Sequence, residues 1–211
     1  RSFAREVGQL ALGAGEVFQG EGILAVAKAL LQSGVAYVGG YQGSPISQLL
    51  DVMVQAEGLL AGLGVHVEPC TNEAAAAALL AASVAYPARG AVTWKSIVGT
   101  NVASDALSNI ASPGVRGGAL IVVGEDYGEG SSVIQERTHA YAMKSSLILL
   151  DPRPDLPHLV DTVETAFELS EAAHTPVLLQ LRIRAGHLQG SFVSRANVAP
   201  AMSMRKRGSA A

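Results

Sequence analysis

The sequence predicts an α/β fold: a doubly wound, mainly parallel six-stranded sheet with helices on both faces. Two observations predict it. From residue 22 onward, six short apolar runs alternate with stretches of helical periodicity. The runs are short and mostly apolar, as in strands covered on both faces. Strands that alternate with helices are joined by right-handed crossovers into a parallel sheet.

Each element has its own local signal. Residues 22–33 place Ile23, Val26, Ala27, Leu30 and Leu31 at helical spacing, and Gly34 ends the helix. Residues 35–38 form a strand that runs into Gly39 and Gly40. Pro45 stands where a first helical turn begins, so 46–56 reads as a helix. Residues 65–68 are the next strand, and Asn72 caps a long alanine-rich helix over 73–86 that Pro87 and Gly90 stop. A strand at 91–95, a helix at 98–110 and a turn at Ser112-Pro113-Gly114 follow. The apolar strand 119–123 opens into a glycine- and acid-rich loop. A helix at 132–143, a strand at 147–150, a helix at 154–173 and a strand at 177–182 complete the series. No linker divides the chain between 20 and 190, which is expected to be one domain, with 1–19 an N-terminal arm and 191–211 a linker or tail.

Composition narrows the function. In 211 residues, 49% are hydrophobic and only 16% charged, against about 25% in ordinary domains. Such a chain builds a large core with little solvated surface, which excludes disorder and suggests a covered partner surface. A net charge of −3 argues against nucleic-acid binding. One cysteine, Cys70, cannot build a disulfide framework, a four-cysteine zinc site or an iron–sulfur cluster, and no metal site is expected. The longest apolar stretch, 74–85, is broken only by Ser83 and is too short to span a bilayer, which needs about 20 residues. With neither a signal peptide nor a glycosylation sequon, the expected location is cytoplasmic, with no membrane partner.

In an open parallel sheet, ligands bind beyond the carboxyl ends of the strands. The loops there are 39–47, 68–73, 95–101 and 124–135. Neither a P-loop nor a G-x-S-x-G elbow is present. Gly20-Glu21-Gly22-Ile23-Leu24-Ala25 matches a dinucleotide pattern, but it follows a poor strand, and no acid stands where a ribose contact belongs. Glu73 opens the most apolar helix. It reads either as a dipole or capping residue or as a carboxylate able to hold a proton against a heterocyclic nitrogen, with small alanines letting a flat ring approach. Gly43, Ser44 and Pro45 form either a plain turn or a loop offering a hydroxyl and N–H groups to a substrate carboxylate. Lys95, ending an apolar strand, must meet an anion: a substrate carboxylate or a structural acid. Asn101 either orients a ring or caps a turn, and His139 either donates a proton or is a surface or core histidine. Trp94 reads as a core residue.

Four segments in order carry a family resemblance. Tyr41-Gln42-Gly43-Ser44-Pro45-Ile46-Ser47 resembles the Y-P-G-T-P-S-S loop of indolepyruvate ferredoxin oxidoreductases, members of the thiamine-diphosphate-dependent 2-oxoacid:acceptor oxidoreductases. Thr71-Asn72-Glu73 resembles the N-E dipeptide of that family's pyrimidine-binding domain. Residues 92–105 resemble its T-M-K-H-V-G-L-N-V-A-A-D segment, and 117–123 with Ser131, Ser132 and Glu136 resemble the next strand and loop. Gln42, Ser44 and Ile46 depart from the family loop.

The resemblance implies that Glu73 is the glutamate that hydrogen-bonds N1′ of the aminopyrimidine, with Gly43, Ser44, Pro45 and Asn101 near the coenzyme and Ser44, Lys95 and His139 near substrate. It implies oxidative decarboxylation of an aryl or branched 2-oxoacid, with coenzyme A and a ferredoxin-like acceptor. The family's G-D-G motif for Mg2+ does not occur here. The resemblance therefore implies a diphosphate-binding partner domain or subunit that supplies Mg2+ and phosphate ligands, an iron–sulfur or ferredoxin subunit, and a homo- or hetero-oligomer. The alternatives are the same half of a non-oxidative decarboxylase, or a non-catalytic scaffold.

Overall fold

The computed structural model describes residues 3–128 and 137–203. In chain order it contains α1 (Ala4–Leu10), β1 (Val17–Glu21), α2 (Gly22–Gln32), β2 (Tyr37–Gly40), α3 (Ser47–Gln55), α4 (Glu57–Leu63), β3 (His66–Pro69), α5 (Glu73–Leu79) and α6 (Ala81–Ala85). There follow β4 (Gly90–Lys95), α7 (Val98–Ala111), β5 (Ala119–Glu125), α8 (Thr138–Ser145), β6 (Ile148–Leu150), α9 (Leu156–Ala173), β7 (Val177–Arg182), α10 (Ile183–His187) and β8 (Gln189–Val193).

The six predicted strands make one sheet in the order β3-β2-β4-β5-β7-β6, with every pair parallel. Register follows the pleat. Ala91 pairs with Leu120 toward one core, shared with α2, α3 and α9, and Val92 pairs with Ile121 toward the other, shared with α5 and α7. The chain after β2 goes to the first face, whereas the chains after its neighbours β3 and β4 go to the second. The crevice at such a reversal is where doubly wound folds bind ligands, and here it opens at the carboxyl end of β2.

The structure differs from the sequence reading in several places. The expected single helix over 73–86 tightens at Leu80, where Leu80 N bonds to Ala77 O (3.0 Å) and Ser83 N to Leu80 O (2.9 Å), three residues apart rather than four. Ser83 turns inward there, hydrogen-bonding the Tyr37 hydroxyl and the Ala88 carbonyl. Val17–Glu21 is a strand after all, but outside the main sheet: it pairs antiparallel with β8 and stacks Phe18 on Phe192. Gly22, the third residue of the dinucleotide pattern, serves packing, since a Cβ there would lie 1.9 Å from the Ala185 carbonyl oxygen. The predicted helix at 132–143 begins at Thr138 within the described residues. The motif residues Ser131, Ser132 and Glu136, like the basic run of the tail, lie outside them.

Residues expected to be an arm and a tail are packed instead on α2, every residue of which is buried. Lys28, in the middle of α2, donates to the carbonyls of Leu10 and Leu12 and to Asn197 Oδ1. Asn197 donates in turn to Leu10 O at 2.9 Å, and Val198 N to Leu31 O at 2.9 Å. One ammonium thus ties the segments before β1 and after β8 to the domain, because a buried charge needs all its donors satisfied.

Replacing Lys28 by Met should lower unfolding free energy by on the order of 2–4 kcal/mol, measured by denaturant titration, since carbonyls and an amide lose a charged donor. Burial pushes the Lys28 ammonium down from 10.5 to about 8. Between those values the unfolded chain binds a proton that the folded chain does not, so this lysine's contribution to stability rises with pH. The gap between wild type and Lys28→Met should widen from pH 8 to 10.5.

Candidate functional site

Glu73 is the first residue of α5, and Asn72 caps that helix by accepting from Ala75 N at 2.8 Å. Extended backbone at Asn72 turns the chain from β3 into the helix at the sheet's carboxyl edge. The Glu73 side chain does not serve as the cap. It is buried, 8% exposed, and its carboxylate takes no hydrogen bond or ion pair from another described residue. Among the described residues only Thr93 Oγ1 is a fully buried side-chain polar atom without a partner, so the Glu73 oxygens, unpaired as they are, still reach solvent at the sheet's edge.

What it packs on explains its placement. A Cβ at position 99 would come within 2.9 Å of Glu73 Cγ and 2.7 Å of Trp94 Cδ1. Gly99 in the first turn of α7 therefore lets α7, the glutamate stem and the indole close on one another. Trp94 is fixed in turn by its own hydrogen bond from Nε1 to Thr100 Oγ1 at 3.0 Å. Gly99 was not among the residues singled out from the sequence. The available signal is a glycine inside the first turn of a predicted helix, where propensity disfavours it.

The β2–α3 loop lies across the carboxyl ends of β4 and β5. The Ser44–Pro45 peptide is cis; Ile46 N bonds to Gly43 O at 2.9 Å as a turn, and the helix starts at Ser47 rather than at Ile46. Ser44 is exposed and Pro45 buried. Lys95 Nζ donates to Ser44 O at 2.8 Å and to Asp126 Oδ2 at 2.9 Å. Of its two sequence readings, the structure displays the structural acid. Beyond it, Ser96 Oγ and Thr138 Oγ1 lie 2.6 Å apart, and Thr138 N donates to Glu125 Oε2 at 3.1 Å, so the start of α8 is also held at this edge.

The remaining candidates are less committed. Asn101 sits inside α7, exposed, where it caps no turn. His139 is exposed in the first turn of α8. Thr93 Oγ1, on β4 two residues before Lys95, is buried without a hydrogen-bond partner. A cleft of about 620 Å3 runs beside Ser44 and Pro45 on the α3 side, lined also by Phe3, Gln48, Asp51 and His187. Glu73 does not line it; the two lie on opposite sides of β2's carboxyl end. Among the described residues, no group of three or more His, Cys, Asp or Glu side chains could hold a metal ion, and no helix is long and apolar enough to cross a membrane.

Comparison with known proteins places this edge in context. The chain is 34% identical over 166 residues to the indolepyruvate oxidoreductase subunit IorA of Methanothermobacter thermautotrophicus, covering 79% of the chain and 26% of that protein. The IorA subunit of Thermococcus kodakarensis is 33% identical over 170 residues, 80% of the chain and 25% of its own length. Over these stretches the chain is similar to a part of the IorA subunits. It spans about a quarter of their length. The fold is shared with a 2-oxoglutarate:ferredoxin oxidoreductase from Magnetococcus marinus, at a TM-score of 0.64 and 15% identity, over 87% of this chain and 33% of that one. No family model matches.

Substituting Gly99 by Ala should displace Glu73 or Trp94 at a cost of about 1–3 kcal/mol, the usual range for overpacking. Trp94 is the sole tryptophan, so intrinsic fluorescence reads the change directly. A shifted emission maximum with retained secondary structure is the expected result.

Proposed function

We propose that this chain is the pyrimidine-binding part of a thiamine-diphosphate-dependent 2-oxoacid oxidoreductase of the indolepyruvate type. The observation that carries the reading is Glu73: a carboxylate at the carboxyl edge of the sheet, buried and without a donor among the described residues. The similarity to IorA supports the reaction class. Residues of the site suit an aminopyrimidine. Glu73 is free to accept from a ring N–H, and the small side chains of Ala74, Ala75 and Gly99 leave a low wall around it.

When bound, thiamine supplies a carbon nucleophile for the oxoacid carbonyl and an electron sink when CO2 leaves. Glu73 would share a proton with ring nitrogen N1′, and a covering partner that excludes water there would strengthen that interaction. Gly43, Ser44 and Pro45 form the loop beside the crevice, where the Ser44 hydroxyl is open to a substrate carboxylate. Asn101 and His139, both exposed, would act only against a covering partner. That partner, a diphosphate-binding domain or subunit, would bring Mg2+ and phosphate ligands. Electron transfer to a ferredoxin-like acceptor would use iron–sulfur clusters elsewhere in the assembly. Acyl transfer to coenzyme A would follow the fold neighbour, whose structure holds coenzyme A and succinyl-CoA.

Glu73→Gln in the assembled enzyme should reduce indolepyruvate turnover by roughly 10²–10⁴-fold, the range for loss of a positioned proton-transfer group, with the unfolding midpoint nearly unchanged. Full activity in that variant would remove the proposal. Iron measured in the purified assembly tests the electron-transfer half separately.

A further inference from the structure

The side chain of Asp126 is only 7% exposed and holds Lys95 at 2.9 Å, while the same ammonium reaches across to the Ser44 carbonyl at 2.8 Å. Three elements distant in sequence thus meet at one nitrogen: the end of β4, the residue after β5 and the β2–α3 loop. Two glycines press the loop down onto this point. A Cβ at Gly43 would stand 2.8 Å from Lys95 Cβ, and one at Gly124 would stand 2.7 Å from Ile46 Cβ. The loop therefore rests on the strand ends by direct backbone contact, and the ammonium is the polar bond that fixes its carbonyl.

An ammonium already paired with a buried carboxylate is not a free cation for a second one. Freeing it would strip the buried Asp126 carboxylate of the one ammonium that pairs with it among the described residues, which is costly. We infer that Asp126 is a positioning residue which, through Lys95, sets the Ser44 loop for 2-oxoacid binding, and that Lys95 does not itself ligate the substrate carboxylate. This rests on the oxidoreductase reading for its substrate, but the loop geometry stands independently of it.

The two roles of Lys95 predict opposite effects. If Lys95 bound substrate directly, Asp126→Asn would release a competitor and KM for indolepyruvate would fall or stay unchanged. If Asp126 positions the loop, Asp126→Asn and Lys95→Met should each raise KM by about 10–100-fold, as misplacement of a binding group does. In that case kcat should change much less, and the double variant should be no worse than either single one, because both act through one contact. Hydrogen exchange on the same assembled enzyme supplies a readout that needs no turnover. Asp126→Asn should speed exchange in a peptide covering residues 41–49 and leave one covering α9 unchanged. An unchanged or lowered KM, additive single variants, or unchanged exchange in 41–49 would each overturn the inference. Glu73→Gln serves as the control: full activity there sinks the oxidoreductase reading, while the exchange result still decides the loop.

Discussion

The packing that holds a largely buried glutamate with its carboxylate oxygens open and unpaired is the constraint on which the carboxyl edge of this sheet depends. Its aliphatic stem is what the fold buries, and the surroundings of Glu73 are arranged to keep that stem in place. Asn72 takes over the capping role, so the glutamate is not needed for the helix. Gly99 admits α7 close enough to hold the side-chain stem, and Trp94, tied to Thr100, closes the wall behind it. The site is thus held by packing of its apolar stem, which leaves the oxygen atoms uncommitted.

The two faces of the sheet are finished differently. On one side α2 is sealed by α9, the terminal segments and the β1–β8 ribbon, with Lys28 as the common anchor. On the other side α5 and α7 lie together over the second core and present Ala75, Ala78 and Val102 outward, the last 48% exposed. The polar contacts of the crevice occur where these two sides meet. Lys95 faces the loop of the sealed side, and Glu73 belongs to the open side.

Much of this was legible in the sequence, for a physical reason. Strands covered on both faces are mostly apolar, so the central ones announced themselves, the half-exposed edge strand β3 showed through Val65 and Val67, and the alternation with helices dictated the parallel sheet. β1 escaped because only Phe18 of its five residues is fully buried and its partner strand lies near the other end of the chain. α4 escaped because Gly58 and Gly62 hide a helix that packs Leu60 into the core. The terminal segments read as arms because nothing local shows that Lys28 will bind their carbonyls. In the site, Glu73 and the Ser44 loop were visible through their motif. Gly99 and Asp126 were not, since both act by close approach between elements far apart in the chain. Lys95 was ambiguous for the same reason: its charge was evident, its counter-charge was not.

The β1–β8 ribbon carries a consequence for biogenesis. Phe18 finds its stacking partner in Phe192, and Lys28 reaches one of its acceptors in Asn197. Within this domain Asn197 is made 169 residues after Lys28, so a nascent chain exposes the aliphatic surface of α2 until its lid has emerged. Long-range closure of this kind slows folding and leaves sticky intermediates, so anything that shields the apolar face of α2 until β8 has emerged favours correct closure of this domain.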